Sequence, residues 1–280
     1  MTSETQTVDE FDAANIKTSE PLRFAPLFAE LLGTFALAGL VIKLAQGGTL
    51  GALGISLGLS VIICIFGAMS GAHLNPAITI AQLINRQIGW LKAIMYIVAQ
   101  VLGALLALLV FHTLFKAGYD NSLYSALAAQ GITKDQVTQA GGLAKFATAN
   151  NTTLATMAHQ LGVSDFINVT IAKGAGVFTF VSEVLGSAIF GLGVGHAIYA
   201  EDKPMLETGL SVGFGLFGGL MLGGSTVILN PAVAVAVQAF KLGSFMTFLT
   251  PILVYVVGTI IGMTVGITAY RFLRLKAIAK

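Results

Sequence analysis

Two asparagines carry the chemistry that can be read from this chain. Asn75 opens Asn75-Pro76-Ala77 within Ser70-Gly-Ala-His-Leu-Asn-Pro-Ala-Ile-Thr79, and Asn230 opens Asn230-Pro231-Ala232 after Gly224-Ser-Thr-Val-Ile-Leu229. A carboxamide does no acid, base or nucleophilic work at neutral pH; it donates and accepts hydrogen bonds. Asn is also a strong helix N-cap, and Pro suits the first helical position, where its missing N–H would have no partner. Each tripeptide therefore predicts a helix start. The runs that follow, Pro76 to about Gln87 and Pro231 to about Phe240, are short. At ~1.5 Å per residue they cross about half the hydrocarbon thickness of a bilayer.

The other reactive residue types argue against catalysis. The four histidines, His73, His112, His159 and His196, are scattered singly, with no spacing that suggests metal ligands or a nucleophile–base pair. Hence no enzyme, no metal and no cofactor is expected. The single Cys64 excludes an intrachain disulfide framework and reads as a small buried residue. Glu30 and Glu183 are the main ionisable residues expected deep inside apolar stretches. A mid-membrane carboxylate costs on the order of 2–3 kcal/mol or more, so each must face inward and have partners.

The elements that position these residues follow from composition. Of 280 residues, 55% are hydrophobic and only 10% charged, with a net charge of +2. Mean hydropathy is +0.84. A soluble domain carries nearer a quarter charged residues, so the chain is a multi-pass helical membrane protein. No basic run suggests nucleic acid. Six spans are expected, at about Pro26–Leu44, Leu50–Met69, Trp90–Phe115, Gly176–Tyr199, Thr208–Leu222 and Phe248–Tyr270, with the half-helices after spans two and five. Residues 1–22 are polar, lack a signal-peptide pattern and read as a tail, as do residues 273–280.

The chain also repeats. Glu30-Leu-Leu-Gly33 precedes Asn75 by 45 residues, and Glu183-Val-Leu-Gly186 precedes Asn230 by 47. Gly103 and Gly258 each follow their Asn by 28. The two copies cover residues 24–115 and 174–272. With three spans each, they must cross the membrane in opposite senses, with the functional centre near the midplane. Arg86 and Lys92 fall on the same side as Arg271, Arg274 and Lys276, which puts both termini in the cytoplasm. The absence of a signal peptide fits a plasma-membrane location. Glycines at four-residue spacing (215, 219, 223; 258, 262, 266; 191, 195) predict close helix packing.

Residues 116–173 interrupt the pattern with a long extracellular segment rich in Ala, Thr, Asn and Gln. Ser122–Gln130 and Thr152–Leu161 are candidate helices within it. Two readings stand: a cover over the outer end of the bundle or over a neighbouring subunit, or a loosely ordered insertion. Asn150, Asn151 and Asn168 head Asn-x-Thr sequons.

These motifs resemble those of the aquaporin and aquaglyceroporin (major intrinsic protein) family. The resemblance spans about Phe24 to Tyr270 outside the long segment, and rests on Ala29-Glu-Leu-Leu-Gly-Thr-Phe35, both Asn-Pro-Ala tripeptides, Ala99-Gln-Val-Leu-Gly-Ala104 and Glu183. It implies an all-α aquaporin-like inverted repeat of six transmembrane helices plus two membrane-dipping half-helices, a homotetramer in the lipid bilayer, and one pore per subunit. It also implies that Glu30 and Glu183 hold the half-helix loops by accepting backbone N–H bonds. His73 then reads as a packed structural histidine beside the first tripeptide. His196 reads as an interfacial residue, with pH gating as the alternative.

The residue chemistry agrees. Two helix N-termini meeting at one point repel cations, and the Asn amides donate to a passing oxygen. The non-helical approaches, Gly71, Ala72, His73 and Leu74 on one side and Thr226, Val227, Ile228 and Leu229 on the other, offer carbonyl acceptors. Such a lumen suits small neutral solutes and water.

One departure shapes the expected selectivity. Family members usually carry Arg directly after the second tripeptide, where this chain has Val233. Counting from each Asn places the other constriction positions at Ile55, Gly218 and Val227. That ring has no charge or side-chain donor, and Gly218 leaves it wide. The expectation is a facilitator of glycerol-like polyols, urea, undissociated weak acids or neutral metalloids, with water leaking through. The alternatives are a water-selective channel or an ion-coupled transporter.

Overall fold

The computed structural model describes residues 24–163, 171, 174–224, 226–240 and 245–278. Residues 1–22 and the Asn168 sequon lie outside them. The first repeat contains α1 (Phe24–Leu44), α2 (Gly48–Ser70), the half-helix α3 (Pro76–Ile84) and α4 (Trp90–Ala128). Three short helices follow, α5 (Lys134–Gln139), α6 (Leu143–Ala149) and α7 (Leu154–Gln160). The second repeat contains α8 (Gly176–Tyr199), α9 (Met205–Gly223), the half-helix α10 (Pro231–Ala236), α11 (Phe245–Ile252), a π-helical turn (Leu253–Gly258) and α12 (Thr259–Ile278). No strand occurs among the described residues, and six helices there are long and apolar enough to cross a membrane. The expected inverted-repeat architecture is the one observed.

The two repeats pack alike. α1 lies against α2 and α4, and α8 lies against α9 and α12, while α2 meets α9 across the centre. The half-helices exchange partners: α3 packs on α12 of the other repeat, and α10 packs on α4. The predicted glycines permit these approaches. A Cβ at Gly219 would lie 2.4 Å from the Gly186 carbonyl oxygen, and one at Gly266 would lie 2.1 Å from that of Ala188. Backbone cannot yield as a side-chain tip can, so Gly219→Leu should force α8 and α9 apart at a cost of about 3 kcal/mol. The expected result is an unfolding temperature in detergent lower by about 5 °C or more. Gly118→Leu, where the added side chain meets open space, should leave it unchanged.

Both half-helices are shorter than their sequences suggest. Each ends in a turn with one left-handed residue, Arg86 (φ 58°) and Gln238 (φ 55°), in which the next N–H reaches five residues back: Gln87 to the Gln82 carbonyl and Ala239 to that of Ala234. Glycine usually marks such a stop. Here neither position is glycine, so the sequence conceals it. The C-terminal tail expected from residue 273 begins as a continuation of α12.

The long segment is folded where it is described. α4 runs past the expected end at Phe115 to Ala128, because no proline interrupts it and Gly118 is accommodated in the helix, which stops before the left-handed Gly131 (φ 82°). Ser122–Gln130 is thus the extension of α4 rather than a separate helix. Thr133 and Gln136 form a capping box that starts α5. Leu123, Leu127, Val137, Leu143, Ala147, Met157 and Ala158 make a second apolar core, distinct from that of the bundle. This finding replaces the reading of a loosely ordered insertion over residues 116–163. Asn150 and Asn151 lie exposed at the turn after α6.

Candidate functional site: a central lumen between two asparagine-capped half-helices

Each half-helix begins as its tripeptide requires. Asn75 and Asn230 are extended (φ −157° and −156°), and their side-chain oxygens accept from the backbone N–H of Ala77 (2.9 Å) and of Ala232 (3.0 Å) and Val233 (3.3 Å). Their amide nitrogens cross the centre. Asn75 Nδ2 donates to the Leu229 carbonyl (2.8 Å), and Asn230 Nδ2 donates to the Leu74 carbonyl (2.9 Å). One amide hydrogen of each Asn is thereby used and one is left for a solute.

Leu74 (φ 52°) and Leu229 (φ 59°), directly before the asparagines, are left-handed. Such a conformation costs a branched residue on the order of 1–3 kcal/mol and persists only when its surroundings impose it. The buried glutamates do so. Glu30 Oε1 accepts from His73 N–H (2.9 Å) and the Ser70 hydroxyl (2.7 Å), and Oε2 accepts from Leu74 N–H (2.7 Å) and the Gln100 amide (2.7 Å). Glu183 accepts from Ile228 N–H (3.0 Å), Leu229 N–H (2.6 Å) and the Thr259 hydroxyl (2.9 Å). Both carboxylates are fully buried. His73 is also buried, with Nδ1 3.1 Å from Thr79 Oγ1 and its ring edge-on to Tyr96. Gln100 and Thr259 belong to these clamps, while Tyr96 and Tyr255 donate to the Ser70 and Thr226 backbone carbonyls rather than to either glutamate; residue type alone did not single them out.

Between the half-helices lies a cavity of about 100 Å³. Asn75 and Asn230 line it, and so do Ala72, His73, Thr226, Val227 and Ile228 from the two approaches. Gly71, Leu74 and Leu229 do not, and the Leu74 and Leu229 carbonyls are already engaged by the asparagines. The acceptors available along the wall are therefore fewer than the eight expected.

Of the four expected constriction positions, Ile55, Val227 and Val233 line the cavity and Gly218 does not. α9 presents Val212, Leu216 and Leu220 instead, one residue per turn. Gly218 is two residues from both leucines, about 200° around the helix, and a Cβ there would point at Ile189, 3.2 Å away. Counting across the turn between α9 and Asn230 placed the residue on the wrong face. Among the described residues the lining holds no Arg, Lys, Asp or Glu.

His196 lies outside the lining, at the end of α8, with Nε2 3.7 Å from Glu207 Oε1. Nearby, Arg274 pairs with Glu201 at 3.3 Å. Burial, and secondarily the Arg274 charge, hold the Lys203 ammonium below its usual range, while Glu207 opposes that shift. Lys203 donates to the Ala200 carbonyl.

An inverted repeat of membrane-spanning helices around an uncharged lumen, with two asparagine-capped half-helices meeting at its centre, defines the class as a multi-pass helical membrane protein with a central lumen. The profile described as Major intrinsic protein matches residues 23–270, and the chain belongs to that family. Aquaglyceroporin-2 of Rhizophagus irregularis is 44% identical over 100 residues, 32% of this chain and 32% of that protein. Matches to the most similar relatives thus cover about a third of their length. The glycerol uptake facilitator protein of Streptococcus pneumoniae is 28% identical over 219 residues, 74% of this chain and 79% of that one. The X-ray structure of the aquaglyceroporin from Plasmodium falciparum shares the fold, with a TM-score of 0.63 and 18% identity over 91% of this chain and 98% of that one.

Proposed function

We propose that this chain is a passive channel for small uncharged solutes of the glycerol and urea kind, with water passing alongside. The observation that carries the reading is the lining. It combines central amide donors and a few carbonyl acceptors with aliphatic side chains, and has Val233 where an Arg would narrow and charge the constriction. Ile55, Val227 and Val233, with Leu216 and Leu220 of α9, form the selective ring. Its walls cannot replace the hydration shell of an ion, so charged species are excluded by desolvation. The relatives named for glycerol uptake and aquaglyceroporin activity support this reading over a water-selective one. No catalytic step belongs to it.

The same reading places the protein in a plasma membrane with both termini in the cytoplasm, on the strength of Arg86, Lys92, Arg271, Arg274 and Lys276 on one side. It also takes the chain as a homotetramer, with the α4–α7 extension outside. The test is stopped-flow light scattering on proteoliposomes, comparing glycerol and water entry. Glycerol entry well above that of protein-free vesicles is expected. Fast water entry with glycerol excluded would leave the water-selective alternative.

A further inference from the structure

The second approach to the asparagine pair is held at more points than Glu183 provides. Tyr255 is buried outside the cavity lining, and its hydroxyl donates to the Thr226 carbonyl at 3.1 Å. Thr226 itself lines the cavity, next to Val227 of the constriction. Thr259, one turn further along the same helical rod, donates to Glu183, which holds Ile228 and Leu229. Tyr255 and Thr259 together therefore fix both ends of the segment 226–229.

The first repeat contains a related strut in a different place. Tyr96 donates to the Ser70 carbonyl at 2.8 Å, but Ser70 does not line the cavity. Tyr96 and Pro251 each follow their Asn by 21 residues, and Gln100 and Tyr255 each follow by 25. The tyrosine has thus moved one helical turn along in the second repeat, and a proline stands in its former place. The π-helical turn Leu253–Gly258 contains Tyr255. Such turns within long helices occur frequently at functional sites.

We propose that Tyr255 is a positioning residue for selectivity. Its hydroxyl draws the Thr226 carbonyl away from the lumen, leaving Val227 and Ile228 to supply the acceptors at the outer constriction. The inference rests on the channel reading above and deepens it. An apolar ring with few acceptors taxes each solute hydroxyl that must shed water without replacement. Releasing the Thr226 carbonyl adds an acceptor beside Val227. A solute with three hydroxyls gains more from it than water, which is small enough to keep its neighbours in file.

The experiment is the glycerol-to-water permeability ratio of Tyr255→Phe in proteoliposomes, with Tyr96→Phe as the matched loss of a tyrosine strut away from the lumen. A ratio raised about threefold or more is expected for Tyr255→Phe, with no change for Tyr96→Phe. The ratio does not depend on channel number, so a lower protein yield leaves the readout intact. Unfolding temperature in detergent is measured in parallel. An unchanged ratio, with or without a lower unfolding temperature, would make Tyr255 merely structural and overturn the proposal. So would an equal shift in Tyr96→Phe. Wild-type protein that conducts no glycerol would instead overturn the channel reading, and the two failures are distinguishable.

Discussion

Glu30→Ala will remove the folded channel rather than tune it. The substitution strips the acceptor from four donors, two of them the backbone N–H groups of His73 and left-handed Leu74. Each donor left buried and unpaired costs about 1–3 kcal/mol, and the strained backbone at Leu74 loses what imposes it. The contributions do not add strictly, but their combined scale is comparable to the whole stability of a domain. The expected result is little or no monodisperse protein in detergent, or an unfolding temperature lower by about 10 °C or more. Glu183→Ala loses three donors rather than four and should be somewhat milder. Glu30→Gln separates clamp from proton relay. A Gln offers one acceptor oxygen, but its amide then faces another donor, so stability should fall part-way, with no change in proton flux. Wild-type stability in Glu30→Ala would remove the clamp assignment. A loss of proton conductance in a stable Glu30→Gln would make Glu30 a proton relay instead.

The sequence revealed what rests on spacing and concealed what rests on backbone conformation. The six spans, the inverted repeat and the two asparagine caps followed from hydropathy, matched intervals and the chemistry of Asn-Pro. Glu30 and Glu183 stood out because carboxylates are costly in apolar helices, and the backbone N–H bonds they accept from the half-helix loops are those the family resemblance implied. The half-helix ends were hidden because Arg86 and Gln238 take a conformation usually reserved for glycine. Leu74 and Leu229 were hidden for the same reason. Gly218 failed differently: a helix face turns by about 100° per residue, so a small error in counting through the non-helical turn at Gly224 moves a lining position to the far side. The folded extension after α4 was obscured by its Ala-, Thr- and Asn-rich composition, although Leu123, Leu127 and Val137 carry its core.

Val233→Arg should convert the permeability profile more than any other single change. Val233 is on the first turn of α10, is almost fully buried and lines the cavity with Ile55, Val227 and Leu216. An Arg there puts a planar cation with five donors into a space of about 100 Å³. Val227 and Ile228 line the same cavity, so their carbonyls are the acceptors on offer to the charge. The ring narrows, and a solute must now pass a fixed donor in place of an aliphatic wall. Glycerol entry is expected to fall at least about tenfold, roughly 1.4 kcal/mol of added barrier, while water entry stays within about threefold. Val233→Leu, which narrows without charge, should give a smaller loss of glycerol entry. The α9 face is decided by the same assay. Leu216→Ala or Leu220→Ala should admit solutes larger than glycerol, and Gly218→Leu, aimed at Ile189, should leave selectivity unchanged. Equal loss of all solutes in Val233→Arg would place the selective ring elsewhere. A selective effect of Gly218→Leu would return Gly218 to the lumen and displace the leucines from it.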